Sequence, residues 1–150
     1  MKYIYLAGAM EHYFKTNCTF GNEWRKEAKE YFRSNTVDFK CIDPTDYYNF
    51  EHNDAKSGKE IMLFDLRKVK QSDVILVDLN QIRHSLGASD EIFYAWSLGI
   101  PIIGFVNREF ISDKELEQFV HSWKYEQIDR IETGSNALLK ACDYIRNYYG

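Results

Sequence analysis

The sequence predicts an α/β fold, a three-layer sandwich built on a five-stranded parallel sheet. Two observations predict it. Short β-branched runs alternate with longer stretches of helical period, which is the pattern of βαβ units. The run at 74–79, Val-Ile-Leu-Val-Asp-Leu, is almost continuously apolar, as a strand buried on both faces requires. A length of 150 residues, 45% hydrophobic and 28% charged, suits one domain with a sizeable core. Residues 1–150 are therefore read as a single domain without linker or internal repeat.

Each element has its own reason. Residues 3–7 form a first buried strand that stops at Gly8. Residues 20–33 are helical in period, with Trp24, Ala28, Tyr31 and Phe32 on one face. Residues 38–42 make a short second strand, stopped by Asp43-Pro44. A polar stretch at 45–57 is long for a connection in a compact domain, and such loops are often functional. A helix at 59–71 leads to the strand at 74–79 and a loop at 80–86. Residues 87–99 read as a helix with glycine at both ends. Ile92, Ala95, Trp96 and Leu98 give it an apolar face, and Gly99 suits the left-handed position beyond its end. A strand at 100–106, a short helix at 113–121, a fifth strand at 125–131 and a closing helix at 135–148 complete the series. Such a sheet is flavodoxin-like or Rossmann-like, and ligands bind beyond the C-terminal ends of its strands.

Composition excludes several classes of function. Net charge is −4, which argues against a protein held to a nucleic-acid polymer by phosphate neutralisation. A single small anion remains possible, because one or two local donors suffice for it. The apolar runs are strand-length, too short to span a bilayer or to form the core of a signal peptide. Cys18, Cys41 and Cys142 are odd in number and lack CxxC spacing, so neither a disulfide framework nor a zinc site is expected, and a reduced cytoplasmic setting is. The four histidines show no metal spacing such as HExxH. The stretch at Gly8 lacks the further glycines of a dinucleotide fingerprint, and GxxxxGK[ST] does not occur.

The loops after the strands then carry the chemistry. Glu91 falls in the first turn of its predicted helix, where backbone N–H groups and the helix dipole keep a carboxylate ionised. An ionised, positioned carboxylate can attack an anomeric carbon. The plainer alternative is an acidic residue stabilising a helix start by ~0.3–1 kcal/mol. Asp65 interrupts an apolar cluster of Ile61, Met62, Leu63, Phe64, Leu66 and Val69, which would raise its pKa as a general acid requires. Alternatively it marks the wet edge of an amphipathic helix. Ser85-Leu86-Gly87 before a helix is either an anion seat or a simple N-cap. His84 beside it reads as an exposed loop histidine.

Three segments together resemble the nucleoside 2-deoxyribosyltransferase superfamily, which includes the 2′-deoxynucleoside 5′-monophosphate N-hydrolases. They are Tyr3-Ile-Tyr-Leu-Ala-Gly, Asp65 with Asp73-Val-Ile-Leu-Val eight residues on, and the run from Ser85-Leu-Gly-Ala-Ser-Asp-Glu to Leu98-Gly-Ile-Pro-Ile-Ile. The resemblance covers residues 3–106. It implies that Glu91 is a nucleophile forming a covalent deoxyribosyl ester at C1′, that Asp65 is the second catalytic carboxylate, and that the Tyr5 hydroxyl orients Glu91. Gly8, Ala9 and Met10 fall where the family's first loop lines the base pocket. Six residues before the nucleophile, transferases of free nucleosides typically carry an Asp. Ser85, followed by Gly87, matches the monophosphate hydrolases instead, and an Asp there would repel a phosphate. Arg108, Ser112 and Lys114 lie roughly in the hydrolases' second phosphate region.

The resemblance also implies a small-molecule nucleoside or nucleotide substrate, no metal or organic cofactor, and a homo-oligomer with shared active sites. The aromatic tail Tyr144, Tyr148 and Tyr149 would suit an interface. Tyr13, Phe14, Tyr47 and Tyr48 are candidates for stacking on the base, with core packing as the alternative. Whether the sugar passes to a base or to water stays open. So do a non-catalytic nucleotide-binding domain, against which the paired carboxylates argue, and cleavage of another N-glycoside such as a ribonucleotide.

Overall fold

The computed structural model describes residues 1–47 and 57–150. Five strands, β1 (Lys2–Ala7), β2 (Phe39–Ile42), β3 (Val74–Asp78), β4 (Ile102–Val106) and β5 (Arg130–Thr133), form one sheet in the order β2-β1-β3-β4-β5. Every neighbouring pair is parallel. The expected α/β sandwich with a five-stranded parallel sheet is thus the observed one. The helices are α1 (Glu11–Lys15), α2 (Phe20–Asn35), α3 (Gly58–Lys70), α4 (Leu86–Ser97), α5 (Asp113–Val120), α6 (Ser122–Gln127) and α7 (Ala137–Tyr149).

Strand periodicity divides the core in two. Because successive side chains point to opposite faces, Ile4, Leu6, Val74, Leu76, Ile103 and Phe105 meet Trp24, Ala28 and Phe32 of α2 and Ala141, Cys142 and Ile145 of α7. Tyr5, Ala7, Ile75, Val77 and Val106 face the other way, toward Val69 of α3, Ala88, Ile92 and Ala95 of α4, and Val120 of α5. This alternation puts Tyr5 on the α4 side. The connection from β1 to β2 and that from β3 to β4 leave in opposite directions along the sheet, so a crevice opens beyond the ends of β1 and β3.

Local chemistry sets the helix ends. Ser57, Ser85 and Ser112 each accept a hydrogen bond at 3.1–3.2 Å from the backbone N–H three residues on, capping α3, α4 and α5. α4 ends in a Schellman turn, with Gly99 at φ +72°. The Gly99 N–H reaches the Trp96 carbonyl at 3.1 Å and the Ile100 N–H reaches that of Ala95 at 3.0 Å. That use of Ile100 is why β4 starts at Ile102 instead of residue 100.

One sequence expectation needs correction. Residues 122–127 are helical, so the fifth strand is only Arg130–Thr133 and not 125–131. His121 Nδ1 accepts the Trp123 N–H at 3.1 Å, and Lys124 Nζ ties the turn to the Ser89 carbonyl of α4 at 3.0 Å. Tyr125 of this helix and Ile128 just beyond its end pack against the α4 side. Residues 11–15, between the first expected strand and the first expected helix, form a short helix of their own. Most of the long polar stretch at 45–57 lies outside the described residues. Among the described residues, no helix is long and apolar enough to cross a membrane.

One glycine tests the packing of the α4-side core. A Cβ at Gly104 of β4 would overlap Leu79 Cδ1. Gly104→Val should lower stability by ~1–3 kcal/mol through overpacking, read as a reduced urea midpoint at unchanged m value.

Candidate active site

A cavity of about 430 Å³ opens at the C-terminal ends of β1 and β3. Gly8 and Met10 of the first loop line it together with Glu11 and His12 of α1. From α3 come Ile61, Met62, Asp65 and Leu66. His84, Ser85, Gly87, Asp90 and Glu91 come from the start of α4. Among the described residues that line it there are four carboxylates and no Lys or Arg.

Tyr5 and Glu91 form the centre of the site. Tyr5 is fully buried on β1 and its hydroxyl donates to Glu91 Oε2. Glu91 is only 9% exposed. Since α4 begins at Leu86, Glu91 lies in the second turn and not the first. The expectation that the helix dipole keeps it ionised is therefore corrected. Burial pushes its carboxyl up to about 8, with the hydrogen bond from Tyr5 and the Arg25 charge pulling down and Asp65 and Asp90 pushing up. A dipole term that fades beyond the first turn cannot match the desolvation of a nearly enclosed carboxyl.

Asp65 is 8% exposed and turned into the cavity, one of two buried residues on α3. It is not on the wet edge of its helix. Ser85 is both an N-cap and a cavity residue: its Oγ accepts the Ala88 N–H at 3.1 Å. Gly87 lies beside it and is exposed. Gly8 backs the cavity tightly, for a Cβ there would lie 3.0 Å from Asp78 Cβ and 3.3 Å from Trp24 Cζ2. Of the first-loop trio, Gly8 and Met10 line the cavity. Ala9, expected there too, is 1% exposed and does not.

The aromatic candidates are mostly structural. Tyr13 is buried and donates to Asp78 Oδ2 at 2.7 Å, and burial raises its hydroxyl pKa. Phe14 is about half exposed and Tyr47 packs edge-on against Phe64; neither lines the cavity. Tyr48 lies outside the described residues. Arg108 pairs with Glu115 at 2.8 Å, Ser112 caps α5, and neither these nor Lys114 lines the cavity. In the tail, Tyr144 packs against Tyr148, Tyr149 and the Arg130 guanidinium, so those contacts fall within the chain.

Sequence reasoning missed two features. His84 is not an isolated loop histidine: its ring stacks on His12, with centroids 4.4 Å apart and planes at 10°. It also missed a buried cluster of Arg25, Asp43 and Asp78 behind the first loop. A charged residue on a helical apolar face, as Arg25 is beside Trp24 and Ala28, was the available signal for the second. The first had none, since 72 residues separate the two histidines.

The sequence model of the nucleoside 2-deoxyribosyltransferase family matches residues 4–123, and the chain belongs to that family. Its fold is also that of a conserved protein from Enterococcus faecalis V583, at TM-score 0.72 and 18% identity over 96% of this chain and 98% of that one. A 2-desoxiribosyltransferase from Leishmania mexicana is similar at TM-score 0.53 and 23% identity over 74% of this chain and 69% of that one. No curated protein matches. The family supports binding of a small-molecule nucleoside and chemistry at an N-glycosidic bond.

The buried carboxyl has a measurable signature. Glu91 titrates near 4.5 when unfolded and near 8 when folded. Between those values the folded state holds a proton that the unfolded state lacks, so stability should fall as pH rises through the window and level off above it. Glu91→Gln should flatten that part of the profile, as read from urea midpoints between about pH 5 and about pH 9.

Proposed function

We propose that the chain is an enzyme that cleaves the N-glycosidic bond of 2′-deoxynucleosides or their 5′-monophosphates through a covalent deoxyribosyl-Glu91 intermediate. The observation that carries this reading is the buried Tyr5–Glu91 hydrogen bond in a cavity shared with Asp65. A binding pocket gains nothing from enclosing two carboxylates, whose desolvation costs free energy. A displacement reaction gains a nucleophile and an acid.

The chemistry follows retaining-glycosidase logic. In the empty site burial leaves a proton on Glu91. Substrate binding shifts that proton to Asp65, which delivers it to the departing base. As the C1′–N bond breaks and its electron pair goes to the base, a Glu91 oxygen forms the C1′–O bond. Tyr5, fixed in the sheet, keeps that oxygen aimed. A second base or a water then attacks C1′ as it gives up a proton to Asp65, and Glu91 leaves as carboxylate. The oxocarbenium-like transition state is easier without an electron-withdrawing 2′-hydroxyl, which favours deoxy substrates. No step calls for a metal or organic cofactor.

Ser85 favours the monophosphate and hence a hydrolase as the second reading. Its Oγ accepts the capping bond, which leaves its hydroxyl hydrogen free to donate to a phosphate oxygen. The His12–His84 pair adds two N–H donors on a cavity wall that has no Lys or Arg among its described residues. A second copy of the chain is the proposed partner. Phe93 and Trp96, each 51% exposed on the outer face of α4, offer it an apolar patch on the helix that carries Glu91.

The decisive assay incubates each deoxynucleoside and each 5′-monophosphate with and without a free base and follows products by chromatography. Base release from the expected substrates is the common outcome: from monophosphates without acceptor it would make the chain a hydrolase, and as base exchange only with acceptor it would make it a transferase. Glu91→Ala should lower turnover by at least ~100-fold as a lost nucleophile. Ser85→Asp should weaken monophosphates much more than nucleosides. No product with any substrate, together with ligand binding that survives Glu91→Gln, would leave a non-catalytic nucleotide-binding domain instead.

A further inference from the structure

Behind the cavity lies a buried polar cluster that the reaction above does not use. Arg25 of α2 is 1% exposed. Its Nη2 donates to the Gly8 carbonyl at 3.1 Å and its Nη1 to the Gly21 carbonyl at 2.8 Å. Its Nε lies 3.7 Å from Asp43 Oδ1, and its guanidinium packs 4.7 Å from the Trp24 ring centre. Asp43 is itself held by Lys29 at 2.7 Å and by the Thr45 N–H at 2.9 Å. A buried ion pair is weak ground for stability, because desolvation of both charges offsets most of their attraction.

The surroundings of Arg25 suggest another role. Gly8, whose carbonyl it holds, is a wall of the cavity. Tyr5, three residues earlier on the same strand, donates to Glu91. Guanidinium stays charged at any pH the protein meets, so it is a fixed cation in the field of that pair. Burial works against the Arg25 charge, and Asp43, Asp78, Glu91 and Tyr5 each work for it. Reciprocally, Arg25 is the cation that opposes the effect of burial on Glu91.

We propose that Arg25 is a positioning residue for the reaction: its buried guanidinium holds the Gly8 carbonyl, fixes that wall of the cavity and places a permanent positive charge behind the Tyr5–Glu91 pair. The proposal rests on the reading of Glu91 as nucleophile. The elements packed around Arg25 and Glu91 bring the other groups that share this field, namely Lys29 of α2, Asp43 after β2, Tyr13 of α1, Asp78 of β3, Asp65 of α3, Asp90 of α4 and Tyr5 of β1.

The test compares Arg25→Gln, which is neutral, with Arg25→Lys, which keeps the charge. Glu91 is titrated in the substrate-free protein by carbon-13 NMR of its side-chain carboxyl, and the pH dependence of kcat/KM, which reports the free enzyme's groups, is measured in parallel. In Arg25→Gln the Glu91 midpoint and the basic limb of kcat/KM, where the proton destined for the base is lost, should both move up by about one pH unit, a roughly tenfold loss of ionised Glu91 below the midpoint. In Arg25→Lys both should stay near the parent value. A Gln variant that loses thermal stability while its Glu91 midpoint is unmoved would overturn the proposal. If that variant does not fold, the wild-type protein decides: the Arg25 Nε–H resonance should shift with the Glu91 midpoint, and a resonance indifferent to that titration overturns the proposal equally. Since the NMR arm needs no turnover, it is separate from the catalytic reading, which fails instead if Glu91→Gln remains active.

Discussion

Burial of one carboxyl against one phenol organises the functional end of this molecule. The enclosed Glu91 takes a hydrogen bond from a strand residue, Tyr5, whose position cannot move without disturbing the sheet. β1 must therefore present Tyr5 to the α4 face and Leu6 to the other. α4 must also lie close on the sheet, which Ala88 and Ala95 allow on its inner face. The crevice beyond β1 and β3 then follows from strand order alone. Fold and site are coupled through this single contact.

Charge is sorted by depth. The described lining of the cavity carries Glu11, Asp65, Asp90 and Glu91, while the cation that acts on Glu91 is behind the wall, at Arg25. A cation in the cavity would compete for the carboxylates and neutralise them by direct pairing. One held behind Gly8 acts on Glu91 without standing in the cavity. Asp78, pushed up by burial and pulled back by the Tyr13 and Asn80 hydrogen bonds, belongs to the same buried layer. The outer rim is built differently, from a capping hydroxyl and two stacked imidazoles.

The main errors in reading the elements share a cause. Residues 125–131 look like a strand because Tyr, Ile and Ile recur at short intervals, and a helix of six residues leaves too short a pattern to distinguish from one. His121 starts that helix by a side-chain bond that no periodicity reveals. The same shortness hid α1. Glu91 was misplaced by a single turn because the Ser85 cap starts α4 at Leu86, and that one turn is enough to exchange dipole stabilisation for burial.

The sequence by itself determined the α/β architecture, the approximate bounds of the long elements and the family, because hydrophobic period and motif spacing are local properties of the chain. It also marked Tyr5, Asp65, Ser85 and Glu91 as the residues to watch. Only the tertiary structure decided that Tyr5 donates to Glu91, that Asp65 faces the cavity, that Ala9 does not, that His12 stacks on His84, and that Arg25 lies behind Gly8. Each of these joins residues far apart in the chain, or depends on how deeply a group is enclosed. The protonation of a carboxyl is set by the atoms that replace its water, and those atoms are assembled only when the strands and helices meet.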